Sequence, residues 1–137
     1  MATIAEKEQE IVEEFAIFDD WMDKYEYIID LGKEMEPLAE SEKSDELLIK
    51  GCQSRVWVKS FIEAGIVTYK ADSDAIITKG IIALLIRVLS EESAAEIAKA
   101  ELKFIDEIGL KEHLSPTRSN GLVSMVKQMK LDALKYA

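Results

Sequence analysis

Between Arg55 and Leu89 the hydrophobic period of the chain changes from two residues to about 3.6. Arg55 to Ile62 alternates, with Val56, Val58 and Ile62 on one side and Trp57 and Phe61 on the other. Apolar groups on both sides predict a strand covered over much of both faces. Gly65 marks a turn, and the β-branched and aromatic run Ile66 to Ala71 predicts a second strand. So short a connection requires antiparallel pairing. Glu46 to Lys50 reads as a further strand ahead of this pair, which makes a small sheet of three. The stripe Ile77, Ile81, Leu84, Leu85 and Val88 then predicts a helix over 75–89 packed on that sheet. Asp72, Ser73 and Asp74 are its N-cap candidates. Gly80 costs about 1 kcal/mol against alanine inside a helix, and marks a close contact with a neighbour.

Helices are predicted on either side. Ile11, Phe15, Phe18, Met22, Tyr25 and Ile29 share one helical face, with Asp19-Asp20 splitting the run in two. Gly32 lies near the natural stop and Pro37 beyond it; 39–45 reads as polar linker. Ser90 or Ser93 caps a short helix over 94–100, and 102–108 forms another that Gly109 stops. Ser115-Pro116 is a cap followed by a first-turn proline. Asn120-Gly121 loosens the start of the last helix, whose firm part is 122–136, with Leu122, Val126, Met129 and Leu134 on one side. The expected fold is α+β, a three-stranded antiparallel sheet packed against several helices, as a single domain over 1–137.

Composition narrows the function. Hydrophobic content of 48% and charged content of 32% suit a globular chain. A formal net charge of -10 repels phosphate backbones and anionic lipid, so neither nucleic acid nor membrane is expected as a partner. The most apolar run, 76–89, is too short to span a bilayer. No basic, apolar leader opens the chain, and one cysteine forms no internal disulfide, so the expected compartment is the cytoplasm. Cys52 and His113 are too few for a cysteine- or histidine-held zinc or cluster site, and no glycine-rich phosphate loop or dinucleotide fingerprint is present.

Chemistry therefore centres on Cys52, in the stretch Gly51-Cys52-Gln53-Ser54-Arg55 between two expected strands. One reading is inert: a free cysteine is often a small buried apolar side chain. A hydrolase or peroxidase acting alone would need His113 as base, although a lone histidine before Leu114-Ser115-Pro116 is more often a loop or helix-end residue. Sulfur transfer asks for less. A single thiolate attacks the terminal sulfur of a donor persulfide and becomes a persulfide itself. A nearby positive group helps by lowering the thiol pKa, and Arg55 and Arg118 are the candidates. Trp57 reads mainly as core, and Met125 and Met129 as core fillers.

Gly51-Cys52-Gln53-Ser54 with Val56-Trp57 resembles the signature loop of the SufE family of sulfur acceptors. Asp20-Trp21 with Tyr25 and Ile29-Asp30-Leu31-Gly32-Lys33 is similar to a second family block. Asp72-Ser73-Asp74-Ala75 with Lys79-Gly80 is similar to a third, and 114–122 to the C-terminal motif. The resemblance implies a SufE/IscU-like sandwich with no cofactor of its own. It implies a pyridoxal-phosphate cysteine desulfurase of the SufS type as partner, stimulated by this chain, and a SufBCD-type iron–sulfur scaffold as recipient. Cys52 would be the acceptor. Gly51, Gln53 and Ser54 would shape the loop and offer donors to the bound sulfur. Asp74 would either govern loop dynamics or only cap a helix, and Arg118 would aid the loop or docking.

Overall fold

The computed structural model describes residues 3–136. Two helices open it, α1 (Ile4–Phe15) and α2 (Trp21–Glu34). Thr3 closes a capping box with Glu6 on α1, and the Asp20 carboxylate accepts from Asp23 N–H to start α2. The split near Asp19 is thus real. It also breaks the helical phase, which is why Met22, expected on the apolar face, is exposed.

The strands are β1 (Val56–Glu63) and β2 (Ile66–Ser73), joined by a tight turn in which Ala64 and Gly65 both take positive φ. They pair antiparallel from Val56 opposite Ser73 to Glu63 opposite Ile66. Coverage of both faces holds only for Val56, Trp57 and Val58; Phe61 and Ile62 run out into solvent. The expected strand at Glu46 to Lys50 is not one. Asp45–Leu47 is a 3-10 turn, and a lone bridge from Leu48 to Trp57 follows. Ile49 is buried there, and its N–H donates to the Val56 carbonyl at 2.8 Å. Anchoring one apolar side chain needs no ladder. The third strand is instead β3 (Glu92–Ser93), antiparallel to Ile66 and Val67 at the opposite edge. Glu91, at φ 64, turns the chain into it and donates its N–H to Val67 O at 2.7 Å.

Helix α3 (Ile76–Leu89) is central and touches α1, α2, β2 and the last helix of the chain. Its stripe Ile77, Ile81, Leu84, Leu85 and Val88 is buried as expected. The cap is not as expected: Ala75 is the N-cap, with no side-chain hydrogen bond. Asp72 is buried in ion pairs with Lys43 and Lys79, Asp74 accepts from Arg55 N–H, and the Ser73 hydroxyl donates to Arg55 O and accepts from Ala75 N–H, ahead of the helix. Gly80 does mark a close contact. A methyl group there would sit 2.1 Å from the Ile28 carbonyl oxygen, and one on Gly32 would lie 2.7 Å from Gly80 N. Gly32 lies in the last turn of α2, near the expected stop, and is also half of a helix crossing.

The C-terminal part holds α4 (Ala94–Lys99), capped by Ser93, α5 (Phe104–Glu107) and α6 (Pro116–Leu134). The helix expected over 102–108 shrinks to one turn, because Leu102 takes φ 52. Ser115 caps α6 by accepting from Arg118 N–H, with Pro116 in the first turn. Asn120-Gly121 does not loosen it, since α6 is helical throughout; Leu122 and Met129 are buried, while Leu134 is exposed. No helix of the described residues is long and apolar enough to cross a membrane.

Candidate functional site

The loop from Lys50 to Arg55 is held by backbone hydrogen bonds only at its base. Ile49 N–H to Val56 O closes one side. On the other, Asp74 Oδ1 accepts from Arg55 N–H at 3.0 Å, and Arg55 O accepts from Asp74 N–H at 3.2 Å and from the Ser73 hydroxyl at 2.8 Å. Asp74 is thus a clamp on the loop and not a helix cap. Among the described residues, 50–54 make no backbone hydrogen bond of good geometry. Segments of this kind open at low free energy.

Gly51 lets the tip turn inward. Its φ is +92, and an added methyl would fall 2.4 Å from the hydroxyl oxygen of Ser124 on α6. Cys52 then lies half-buried against α6, its thiol donating to the Gly121 carbonyl with Sγ to oxygen at 3.5 Å. Burial pushes the Cys52 thiol above its ordinary value. Desolvation is the whole cause, and no cation among the described residues offsets it at the resting sulfur.

Beside Cys52 is a cleft of about 330 Å³. Thr78 and Ile81 of α3, with Gly121 and Met125 of α6, form its buried lining. Gln53, Ser54, Ser115, Thr117 and Arg118 complete it. Arg118 also lines an adjoining groove with Asp74, Tyr25, Ile29 and the exposed Ile76. The structure therefore brings Cys52, Gln53, Ser54 and Arg118 around one cavity, with Gly51 beneath the loop and Asp74 behind it. Arg55 is engaged through its backbone, and its side chain lines neither cavity. His113 lines neither as well. Its ring stacks on Trp21 at 3.9 Å between centroids, its Nδ1 bonds Gly109 O at 2.9 Å, and its carbonyl accepts from the Tyr25 hydroxyl.

Sequence reasoning missed Gly121 as a neighbour of the thiol, Thr78, Ser115 and Thr117 as lining of its cleft, and Ser124 as the residue facing Gly51. Ser115, Thr117 and Gly121 stood inside the 114–122 motif, but Ser115 was read only as a cap, Gly121 only as a loosener of the helix start, and Thr117 carried no role. Thr78 offered one signal, a hydroxyl on the most apolar helix.

Known proteins resemble this chain along most of its length. The family model described as SufE, Fe-S metabolism associated domain, matches residues 9–133. Over 129 residues the chain is 40% identical to a SufE-like protein of Rhizobium etli, covering 90% of this chain and 87% of that one. A SufE-like protein of Rhizobium meliloti is 36% identical over 129 residues, 90% of this chain and 92% of that one. SufE-like protein 1, chloroplastic/mitochondrial, of Arabidopsis thaliana is 42% identical over 93% of this chain and 35% of its own length. The fold is similar to the solution structure of a hypothetical protein from Thermus thermophilus, with a TM-score of 0.78 over 95% of both chains at 20% identity.

Proposed function

Because this chain belongs to the SufE family, and so to Fe-S metabolism, we propose that it accepts sulfur on Cys52 from the persulfide of a pyridoxal-phosphate cysteine desulfurase. In this reading it also stimulates that enzyme and hands the sulfur to an iron–sulfur cluster scaffold. It is an accessory protein and not an enzyme acting alone, and its compartment is the cytoplasm. The observation that carries the reading is the position of Cys52, on a loop clamped only at its base, beside an arginine-bearing cleft.

The chemistry follows from that position. The resting thiol is shielded, and burial keeps it protonated. Docking of the donor draws the loop off Gly121 and into a more polar setting, where the thiol loses its proton to solvent. The Cys52 thiolate attacks the terminal sulfur of the donor persulfide. A bond forms between Sγ and that sulfur, the donor sulfur–sulfur bond breaks, and its electron pair leaves on the donor thiolate. No oxidant or reductant is consumed. Gly51 supplies the hinge, Gln53 and Ser54 supply donors along the loop, and Asp74 sets how firmly the base is held. Arg118, shared by the cleft and the groove, favours an anion at the sulfur and a docked partner beside Ile76.

Desulfurase turnover tests the reading. The chain should raise the rate of sulfide or alanine release, and Cys52→Ser should abolish the part that depends on transfer. Full stimulation by Cys52→Ser would instead mark an adaptor whose cysteine is incidental.

A further inference from the structure

We propose that Thr78 and Arg118 form a second seat in the Cys52 cleft, which holds the terminal sulfur anion of the loaded persulfide. This rests on the transfer reading above and extends it to the state after loading. Cys52 Sγ already has its neighbours: the Gly121 carbonyl oxygen lies at 3.5 Å, and a methyl on Gly121 would also fall 3.5 Å from the sulfur. A second sulfur, about 2.05 Å further on, extends into the open part of the cleft. With about 330 Å³ there, one sulfur atom fits without displacing side chains.

Two features of that space await an anion. Thr78 is only 6% exposed and lines the cleft, yet no hydrogen bond engages its hydroxyl among the described residues. The other buried polar side chains are partnered: Asp72 by Leu38 N–H and two lysines, Asp132 by Gln128, and the Tyr69 hydroxyl by Met129 O. The residue is buried, but its hydroxyl is not among the enclosed unpartnered atoms, so it is open to the cleft and free to bond a ligand there. Arg118 is the one charged residue lining the cleft. Among the described residues it has no carboxylate within ion-pair distance, in a chain of net charge -10. It stands in the first turn of the 19-residue α6, whose N-terminal dipole also favours negative charge.

The Gly121 carbonyl sorts the two states. It suits a thiol, which donates a proton to it, and repels a thiolate on Sγ. In the persulfide, Sγ carries two covalent bonds and no charge. The charge sits one bond away, at the Thr78 hydroxyl and the Arg118 guanidinium. The polar groups lining the cleft are Thr78 from α3, Gln53 and Ser54 from the loop, and Ser115, Thr117 and Arg118 at the start of α6, of which Arg118 alone is charged. Asp74 is in the adjoining groove.

The test loads the full chain chemically with inorganic polysulfide, so it does not depend on a desulfurase. The pH at which the persulfide becomes half-reactive toward an alkylating agent is read by intact mass. Thr78→Val should raise that midpoint by about one pH unit, the tenfold change carried by one hydrogen bond to a charged group. Thr78→Ser should restore it. On the unaltered protein, the midpoint should be lower when folded than in urea. An unchanged midpoint in Thr78→Val, or a folded midpoint at or above the unfolded one, overturns the proposal. The folded-against-urea comparison decides it even if Thr78→Val fails to fold. Failure of a desulfurase to load the chain would sink the transfer role and leave these midpoints untouched.

Discussion

Gly51 meets two demands at one position, a positive φ and the absence of a side chain facing Ser124. Gly51→Ala should cost about 2 kcal/mol in urea unfolding, from left-handed backbone strain plus the clash. Ser124→Ala in the same chain should recover part of that loss, since it removes the nearer atom, and none of the backbone part. Asp74 tests the opposite end of the loop. Asp74→Ala removes the carboxylate that accepts from Arg55 N–H, a loss of about 1 kcal/mol of closure. Alkylation of Cys52 should then speed up roughly fivefold at neutral pH, with the midpoint moving down toward that of a free thiol. An unchanged rate would mean that Asp74 does not hold the loop.

The crossing of α2 and α3 depends on two glycines, and the sequence showed only one of them for what it is. Gly80 sat inside a strong apolar stripe, where its cost needed a reason. Gly32 looked like a helix end because Pro37 followed. Gly80→Ala gains about 1 kcal/mol of helix propensity and places a methyl against the Ile28 carbonyl. The net effect should be a loss of about 2 kcal/mol or more in thermal or urea unfolding. The hairpin β1–β2 and the buried stripe of α3 were legible because period-2 and period-3.6 patterns are local. Glu92–Ser93 was not, because two polar residues carry no period, and only the turn at Glu91 brings them to β2. The Cys52 loop was legible in composition and misread in setting: what lies before it is a turn pinned by Ile49. Thr78 and Gly121 reach the thiol only through packing of α3 and α6 against the loop, which no spacing within either helix encodes.

Across the molecule, Asp72 ties the segment before the loop to α3. It accepts from Leu38 and Ser73 N–H and pairs with Lys79 at 3.2 Å and Lys43 at 3.4 Å. Burial works to raise its pKa, but the Ser73 N–H and the two lysines outweigh it and hold the carboxyl below its usual value. A depressed carboxylate contributes its full stability above the unfolded pKa, about 3.9, and loses it as pH falls through the folded value. Asp72→Asn should therefore lose about 2 kcal/mol at pH 7, and its stability curve should converge with that of the unaltered chain toward acid. Parallel curves would show that Asp72 adds no pH-dependent stability. In the proposed transfer role, the loop keeps a sulfur atom sheltered at rest and presents it on docking. Incubation with a cysteine desulfurase and cysteine, without reductant, followed by intact mass of this chain, tests that most directly. The account predicts a gain of sulfur atoms that maps to the peptide holding Cys52 and disappears in Cys52→Ser. No gain on the unaltered chain, or an equal gain on Cys52→Ser, would contradict it.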